Sequence, residues 1–203
     1  MIRLDDRLAA VASFVRTDRR ICDVGTDHAL LPCFLCEQGA RDVIASDVNE
    51  MPLEAARANV EKYGFSDRIR LIRSDGLADI PPCDDVIVAG MGGELIARIV
   101  GGCTFVTADT RFILQPMTRA EHLRRFLYAN GFEITEEKGA YSAGKAYTVV
   151  LAVYTGEKRE ISDEFAYFGK CGDPRYIKKV NGQLEKLGRS DPSLLSIIRK
   201  EQP

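Results

Sequence analysis

The chain alternates. Five apolar, strand-like runs, at residues 19–25, 42–48, 69–75, 84–90 and 110–116, are interleaved with helix-like runs at 29–39, 52–64, 93–102 and 119–131. Glycines 39, 64 and 131 stand where helix C-caps belong, and Pro52 suits the first turn of its helix. Alternation of this kind predicts a mostly parallel sheet covered by helices on both faces. A short amphipathic helix precedes it, with Arg7, Leu8, Val11, Phe14 and Val15 in helical period. The pattern then changes. FEITEEKGAY and AYTVVLAVYTGE are strand-like, with only SAGK between them, which reads as a hairpin. The expected fold is therefore α/β: a seven-stranded, mostly parallel sheet with a terminal β-hairpin. From about Asp163 the chain is helical again, interrupted by Gly182 and Gly188. The expected division is a main domain over residues 1–158 and a short helical C-terminal extension over 159–203.

Length and composition set limits. The 203 residues suffice for one sizeable core, and 45% apolar with 29% charged residues is ordinary for a soluble domain. No run approaches the roughly 18–20 apolar residues of a membrane span, and the N-terminus carries early acidic residues without a signal-type cleavage site. The expected location is cytoplasmic, with no membrane partner. Among six cysteines, Cys33 and Cys36 form a lone CxxC inside a helix-like run. The two histidines, His28 and His122, do not complete a ligand set, so buried reduced thiols and no metal are expected. The formal net charge is −2, but residues 170–203 alone carry +4, through Lys170, Arg175, Lys178, Lys179, Lys186, Arg189, Arg199 and Lys200. A basic tail on an acidic body points either to a polyanionic partner or to a solvated helix face. The sequence does not fix the oligomeric state; a monomer is the working expectation.

The chemistry concentrates at strand ends. In DVGTDHALLP, residues 23–32, Asp23 closes an apolar run and Gly25 makes the turn. Thr26, Asp27 and His28 then occupy positions where a dinucleotide loop would carry two more glycines. A phosphate cradle wants bare backbone N–H groups and no negative charge. Asp27 repels pyrophosphate and favours a cation, and S-adenosylmethionine, with its sulfonium and amino groups, fits. Asp47 ends the second strand, 22 residues past Gly25, where a carboxylate accepts from ribose hydroxyls; Asn49 either assists or caps the next helix. Asp75 and Gly76 end the third strand, where a carboxylate accepts from an adenine amine and a glycine lets the ring approach; an ordinary Asp-Gly turn is the alternative. The fourth strand ends in AGMGG, residues 89–93, with Gly90 and Met91 at the switch-point edge. Exocyclic-amine methyltransferases usually carry an Asn/Asp-Pro-Pro-aromatic motif here. This chain has none, and a ring nitrogen, with its lone pair in plane, does not need one.

In their order, DVGTDHALLP, ASDVN, SDGL, VIVAGMGGELI and FILQP resemble the bacterial tRNA (adenine(22)-N(1))-methyltransferase family. The resemblance covers residues 1 to about 155 and, weakly, the tail. It implies a Rossmann-like class I methyltransferase fold, S-adenosylmethionine as cofactor, tRNA as partner and methylation of N1 of adenosine 22 in the D-arm. It implies a cofactor site containing Gly25, Asp27, His28, Asp47, Asp75, Gly76, Gly90 and Met91, with Asp23 and Asn49 beside them. Arg7 either reaches the methionine carboxylate or is an exposed helix arginine. Asp27 is the first catalytic candidate, acting on the acceptor adenine or holding the donor's amino group, and His28 the second. Gln115, Pro116, Lys145 and Tyr147 are candidate substrate contacts, with Tyr141 nearby. Arg119, Arg124, Arg125 and the tail lysines are candidates for phosphate. Where the family typically reads Gln-Pro-Asn, this chain has Gln115-Pro116-Met117, so an asparagine contact to the base is lost or replaced. The alternatives are a methyltransferase of another RNA or a small molecule, or a non-catalytic S-adenosylmethionine-binding module that contacts RNA.

Overall fold

The computed structural model describes residues 2–199. Lys200 of the basic tail lies outside them. Helix α1 (Asp6–Ala12) is capped by Asp5, whose carboxylate accepts from the Leu8 amide at 2.8 Å. The alternating core follows: β1 (Ile21–Val24), α2 (Leu30–Glu37), β2 (Val43–Asp47), α3 (Glu50–Tyr63), β3 (Ile69–Arg73), β4 (Asp85–Gly92), α4 (Gly93–Gly101), β5 (Arg111–Thr118) and α5 (Ala120–Ala129). The terminal hairpin is β6 (Phe132–Ser142) and β7 (Lys145–Tyr154). Its turn residues Ala143 and Gly144 have φ of 49° and 74°, the two left-handed positions that let a two-residue turn match strand twist.

The strands form one seven-stranded sheet in the order β3-β2-β1-β4-β5-β7-β6. Strands β1 to β5 run parallel and β7 enters antiparallel between β5 and β6, as the missing sixth helix implied. Side chains alternate between two cores. Ile21, Ile87 and Ile113 face α1, α2 and α3; Cys22, Val86, Val88, Phe112 and Leu114 face α4 and α5. Both sheet faces are covered, which is why the central strands read as continuous apolar runs. Strand order reverses between β1 and β4, so a crevice opens at their carboxyl ends.

The tail forms α6 (Asp163–Phe168), α7 (Pro174–Leu187) and a 3₁₀ turn (Pro192–Ile197). Gly182 does not interrupt α7 as its helix propensity suggested. Asp173 caps the helix, Pro174 starts it, and Tyr176, Val180 and Leu184 bury one stripe against Ala146 and Phe168. That burial offsets the cost of about 1 kcal/mol for one helical glycine. Gly188 caps the end instead. Beneath the tail, Arg124 and Glu137 are fully buried and paired, Nη2 to Oε2, at 2.7 Å. Gly169, with φ of 57°, passes so close that a Cβ would lie 2.4 Å from the Arg124 Nε.

Candidate active site

The loop after β1 is held by backbone. The amides of Gly25 and Thr26 both donate to the Ser46 carbonyl, at 2.8 and 2.9 Å, and Asn59 Nδ2 donates to the His28 carbonyl at 2.9 Å. Asp27 and Ala29 both adopt left-handed φ of 52°. Two such non-glycine residues in one turn are uncommon and mark a loop over-determined by its surroundings. The result throws the Asp27 and His28 side chains outward, 69% and 56% exposed, with His28 Nε2 3.5 Å from Asp27 Oδ2. Gly25, with φ of 74°, leaves the space that Met91 fills, since its Cβ would collide with the Met91 methyl.

A cavity of about 280 Å³ opens here, bounded by Arg7, Asp23, Asp27, His28, Leu30 and Gly90, with Gly25 at its floor. Its charge is divided. Helix α2 follows its N-cap Ala29, which provides no side-chain cap, so the Leu30 and Leu31 amides of the first turn meet no capping side chain. Arg7 reaches the same cavity from α1. Its Nη1 donates to Gln115 Oε1 at 2.8 Å, and that oxygen also accepts from the Gly90 amide at 3.1 Å. The carboxylates of Asp23 and Asp27 line the same cavity. Asp23 is buried, with one oxygen accepting from Thr26 Oγ1 at 2.7 Å. A cavity lined by a cation, an uncapped helix start and two carboxylates suits a zwitterionic ligand.

Burial pushes the Asp23 carboxyl up from 3.8 to about 6, against the opposing Thr26 hydrogen bond. The folded state therefore holds this proton more tightly than the unfolded chain. The stability it contributes is complete below pH 4 and is lost as pH rises through about 6. Asp23→Asn keeps an acceptor for Thr26 and removes the charge. Thermal melts at pH 4 and pH 8 should show the variant stabilised by about 2–3 kcal/mol over wild type at pH 8, with little difference at pH 4.

The other cofactor candidates continue along the carboxyl edge. Asp47 and Arg73 are paired in the β2–β3 register, and the Ser74 amide donates to the Asp47 carbonyl at 3.0 Å. Asp47 Oδ1 accepts from the Asn49 amide at 2.9 Å, and Asn49 starts α3 without a side-chain cap. Asp75 is exposed one turn further, and Gly76 has φ of 61° with Ile99 packed against it. These residues lie further along the carboxyl edge, after β2 and β3, outside the lining of the cavity itself. A larger cavity, about 820 Å³, lies at the amino edge of the sheet, where Arg20 pairs with Asp42 at 2.7 Å. Ligands of open α/β sheets bind at the carboxyl edge, so the smaller cavity is the candidate site.

Residues 4–150 match the family model described as a methyltransferase domain. A Streptococcus pneumoniae protein, Sp1610, solved in complex with S-adenosyl-L-methionine, is 34% identical; the match covers 97% of this chain and 96% of that one, with a TM-score of 0.84. The Bacillus subtilis m1A22 tRNA methyltransferase TrmK superposes with a TM-score of 0.83 at 26% identity, over 98% of this chain and 100% of that one. The curated tRNA (adenine(22)-N(1))-methyltransferase of B. subtilis is 36% identical over 74% of this chain, and the match spans 65% of that protein's length. The chain belongs to the tRNA (adenine(22)-N(1))-methyltransferase family.

Within this family fold, the remaining expected residues separate into two groups. Lys145, Tyr141, Arg175, Lys178 and Lys179 surround a groove of about 420 Å³ at the hairpin tip. Arg175 lies over the Tyr141 ring at 5.0 Å. Tyr147, expected at the substrate, is buried, with the Lys179 ammonium over its ring at 4.9 Å. Gln115, also expected there, is fully buried and acts instead as the clamp on Arg7 and Gly90; Pro116 and Met117 follow it toward the surface. Of the phosphate candidates, Arg124 is excluded by complete burial. Arg125 pairs with Asp163, and Arg119 with Glu94 at 3.0 Å and Glu121 at 3.3 Å. The charges of Arg119 and Arg125 are thus already matched.

Sequence reasoning missed Thr26 as the partner of Asp23 and the uncapped start of α2. A Thr three residues after a strand-end Asp was the available signal for the first. Nothing local signalled the second, because Ala29 becomes the cap only through its left-handed backbone. Among the described residues no group of three or more His, Cys, Asp or Glu side chains is placed to hold a metal ion, and no helix is long and apolar enough to cross a membrane. The CxxC thiols are buried, and burial pushes Cys33 up to about 11 and Cys36 up to about 12.

Proposed function

We propose that the protein transfers a methyl group from S-adenosylmethionine to N1 of adenosine 22 in the D-arm of tRNA. The observation that carries this reading is the divided charge of the carboxyl-edge cavity, in a chain that matches TrmK along its whole length. The residues present fit the donor. Arg7 and the first amides of α2 suit its carboxylate, and Asp23 and Asp27 its amino group. At the carboxyl edge after β2 and β3, Asp47 suits ribose hydroxyls and Asp75 the adenine amine. When bound, S-adenosylmethionine supplies an electrophilic methyl group on a positively charged sulfur.

The protein's own part is alignment and charge. Gln115 fixes Arg7 and the Gly90 amide through one oxygen, so Arg7 of α1 is referred to the ends of β4 and β5 together. The absence of an acceptor motif after β4 agrees with attack by a ring nitrogen. Positive charge grows on the adenine as N1 takes the methyl. Asp27, exposed at the cavity mouth, stabilises that charge or accepts the N6 proton. His28 shares the mouth and contacts Asp27. Incubating the protein with unmodified tRNA and S-adenosylmethionine, then measuring nucleosides by mass spectrometry, tests the reading. The expected product is 1-methyladenosine mapped to position 22; its absence overturns the proposal.

The basic groove at the hairpin tip suits the phosphate backbone. The chain past residue 158 is a helical extension in this reading, but its α7 stripe is part of the packed structure, so point substitutions are cleaner than truncation. Lys145→Ala with Lys178→Ala should weaken tRNA binding at low salt and reduce the slope of log affinity against log salt by about 1–2. Filter binding over a salt series reads this, and S-adenosylmethionine affinity should not move.

A further inference from the structure

A second cavity, about 230 Å³, opens at the carboxyl end of β5. Pro116 and Met117 form one wall, Glu121 of α5 a second, and Tyr167 of α6 with Lys179 and Gln183 of α7 close it. The β4–β5 register pairs Met91 with Pro116 and Gly92 with Thr118. This cavity therefore lies one strand, roughly 5 Å, from the β4 end that bounds the donor site.

Its walls carry groups without partners. The half-buried Gln183 carboxamide makes no hydrogen bond among the described residues, and neither does the Tyr167 hydroxyl. The Tyr167 backbone is held, because its carbonyl accepts from Arg124 Nη1 at 2.9 Å and from Tyr176 Oη at 3.3 Å. The Lys179 ammonium donates to the Ala146 carbonyl at 2.7 Å and lies against two aromatic rings; among the described residues no carboxylate pairs with it. An aromatic ring on a held backbone, a free carboxamide and a cation suit a nucleotide.

We propose that this cavity receives the acceptor adenine, extruded from its stack, and that the C-terminal helices thereby choose the base. The inference rests on the methyltransferase reading above. Tyr167 packs on the base, as aromatic side chains do on unstacked nucleobases. The Gln183 carboxamide takes the N6 amine and N7 together, the pairing by which glutamine distinguishes adenine. N1 lies on the opposite edge from N7, so this hold leaves N1 free to face the donor. Guanine presents acceptors at both O6 and N7 and does not match a carboxamide. Lys179 sits at the rim for the adjoining phosphate. Met117 lies in the wall, and Gln183 supplies the amide of the cavity.

The test is steady-state kinetics on tRNA carrying either adenosine or 7-deazaadenosine at the target position. Gln183→Ala should lower kcat/KM for ordinary tRNA about tenfold to a hundredfold, while donor affinity by calorimetry and the melting midpoint stay at wild-type values. Removing N7 should lower wild-type kcat/KM by a similar factor and leave Gln183→Ala unaffected. A second variant, Tyr167→Ala, should alter the binding-induced fluorescence change that wild type produces in tRNA carrying 2-aminopurine at that position, read without donor present, because the stacked ring that quenches the extruded base is gone. If wild type leaves tRNA unmethylated, the functional reading itself fails. If wild type methylates tRNA but both variants stay within about twofold of it, or wild type and Gln183→Ala respond equally to 7-deazaadenosine, the cavity assignment alone is overturned.

Discussion

Arg124→Met should cost the fold about 3–5 kcal/mol, the cost of breaking a buried ion pair by removing one partner. All five guanidinium donors are used. Nε and Nη2 bond the two Glu137 oxygens at 2.8 and 2.7 Å, Nη2 also bonds Tyr176 Oη at 3.1 Å, and Nη1 bonds the carbonyls of Ala166 and Tyr167 at 2.7 and 2.9 Å. Methionine fills similar volume but leaves the Glu137 carboxylate buried with only the Thr148 hydroxyl, at 3.0 Å. It also removes the arginine donor from the Ala166 carbonyl and leaves the Tyr167 carbonyl with the Tyr176 hydroxyl, at 3.3 Å. Urea unfolding should show the loss. Adding Glu137→Leu should recover much of it, because two apolar groups carry no unpaired charge. A single-variant loss below about 1 kcal/mol would mean that water or rearrangement replaces the arginine. The same substitution loosens Tyr167 and the packing of α7, so the stability of the tail and the shape of the second cavity depend on one buried side chain.

Asp27→Asn should lower turnover about a hundredfold or more while leaving stability nearly unchanged. General acid–base or charge-stabilising groups contribute about 10²–10⁴-fold. The side chain is 69% exposed, so its removal should hardly disturb folding. Asparagine is the suitable replacement because it tolerates the left-handed backbone at φ of 52°, whereas alanine adds strain to the lost charge. Separate measurement of donor affinity and single-turnover rate divides the two roles. A residue that holds the donor's amine weakens donor binding; one that acts on the adenine slows the step at saturating donor. Wild-type values in both measurements would remove Asp27 from the mechanism.

The DVG turn, the strand-end carboxylates and the AGMGG edge were readable because each depends on local chemistry: a glycine for a left-handed turn, an acid at the end of an apolar run. Gln115 and Tyr147 were placed in the right neighbourhood but given the wrong surroundings. Periodicity identifies a strand and its end, yet not which polar side chain the next layer covers. Arg124 shows the same limit more sharply. In sequence it is one of two adjacent arginines on an amphipathic helix, indistinguishable from a phosphate contact.

The sequence by itself determined the layered α/β core, the terminal hairpin and the position of the donor edge, because hydrophobic period and turn residues are local properties. Only the tertiary structure decided that α7 continues through Gly182, that Arg124 is buried while Arg175 is exposed, and that Tyr167, Lys179 and Gln183 meet the end of β5. Those outcomes depend on which surfaces pack together across long stretches of chain. Burial, and with it the meaning of a charge or an amide, is settled by that packing and not by neighbours in sequence.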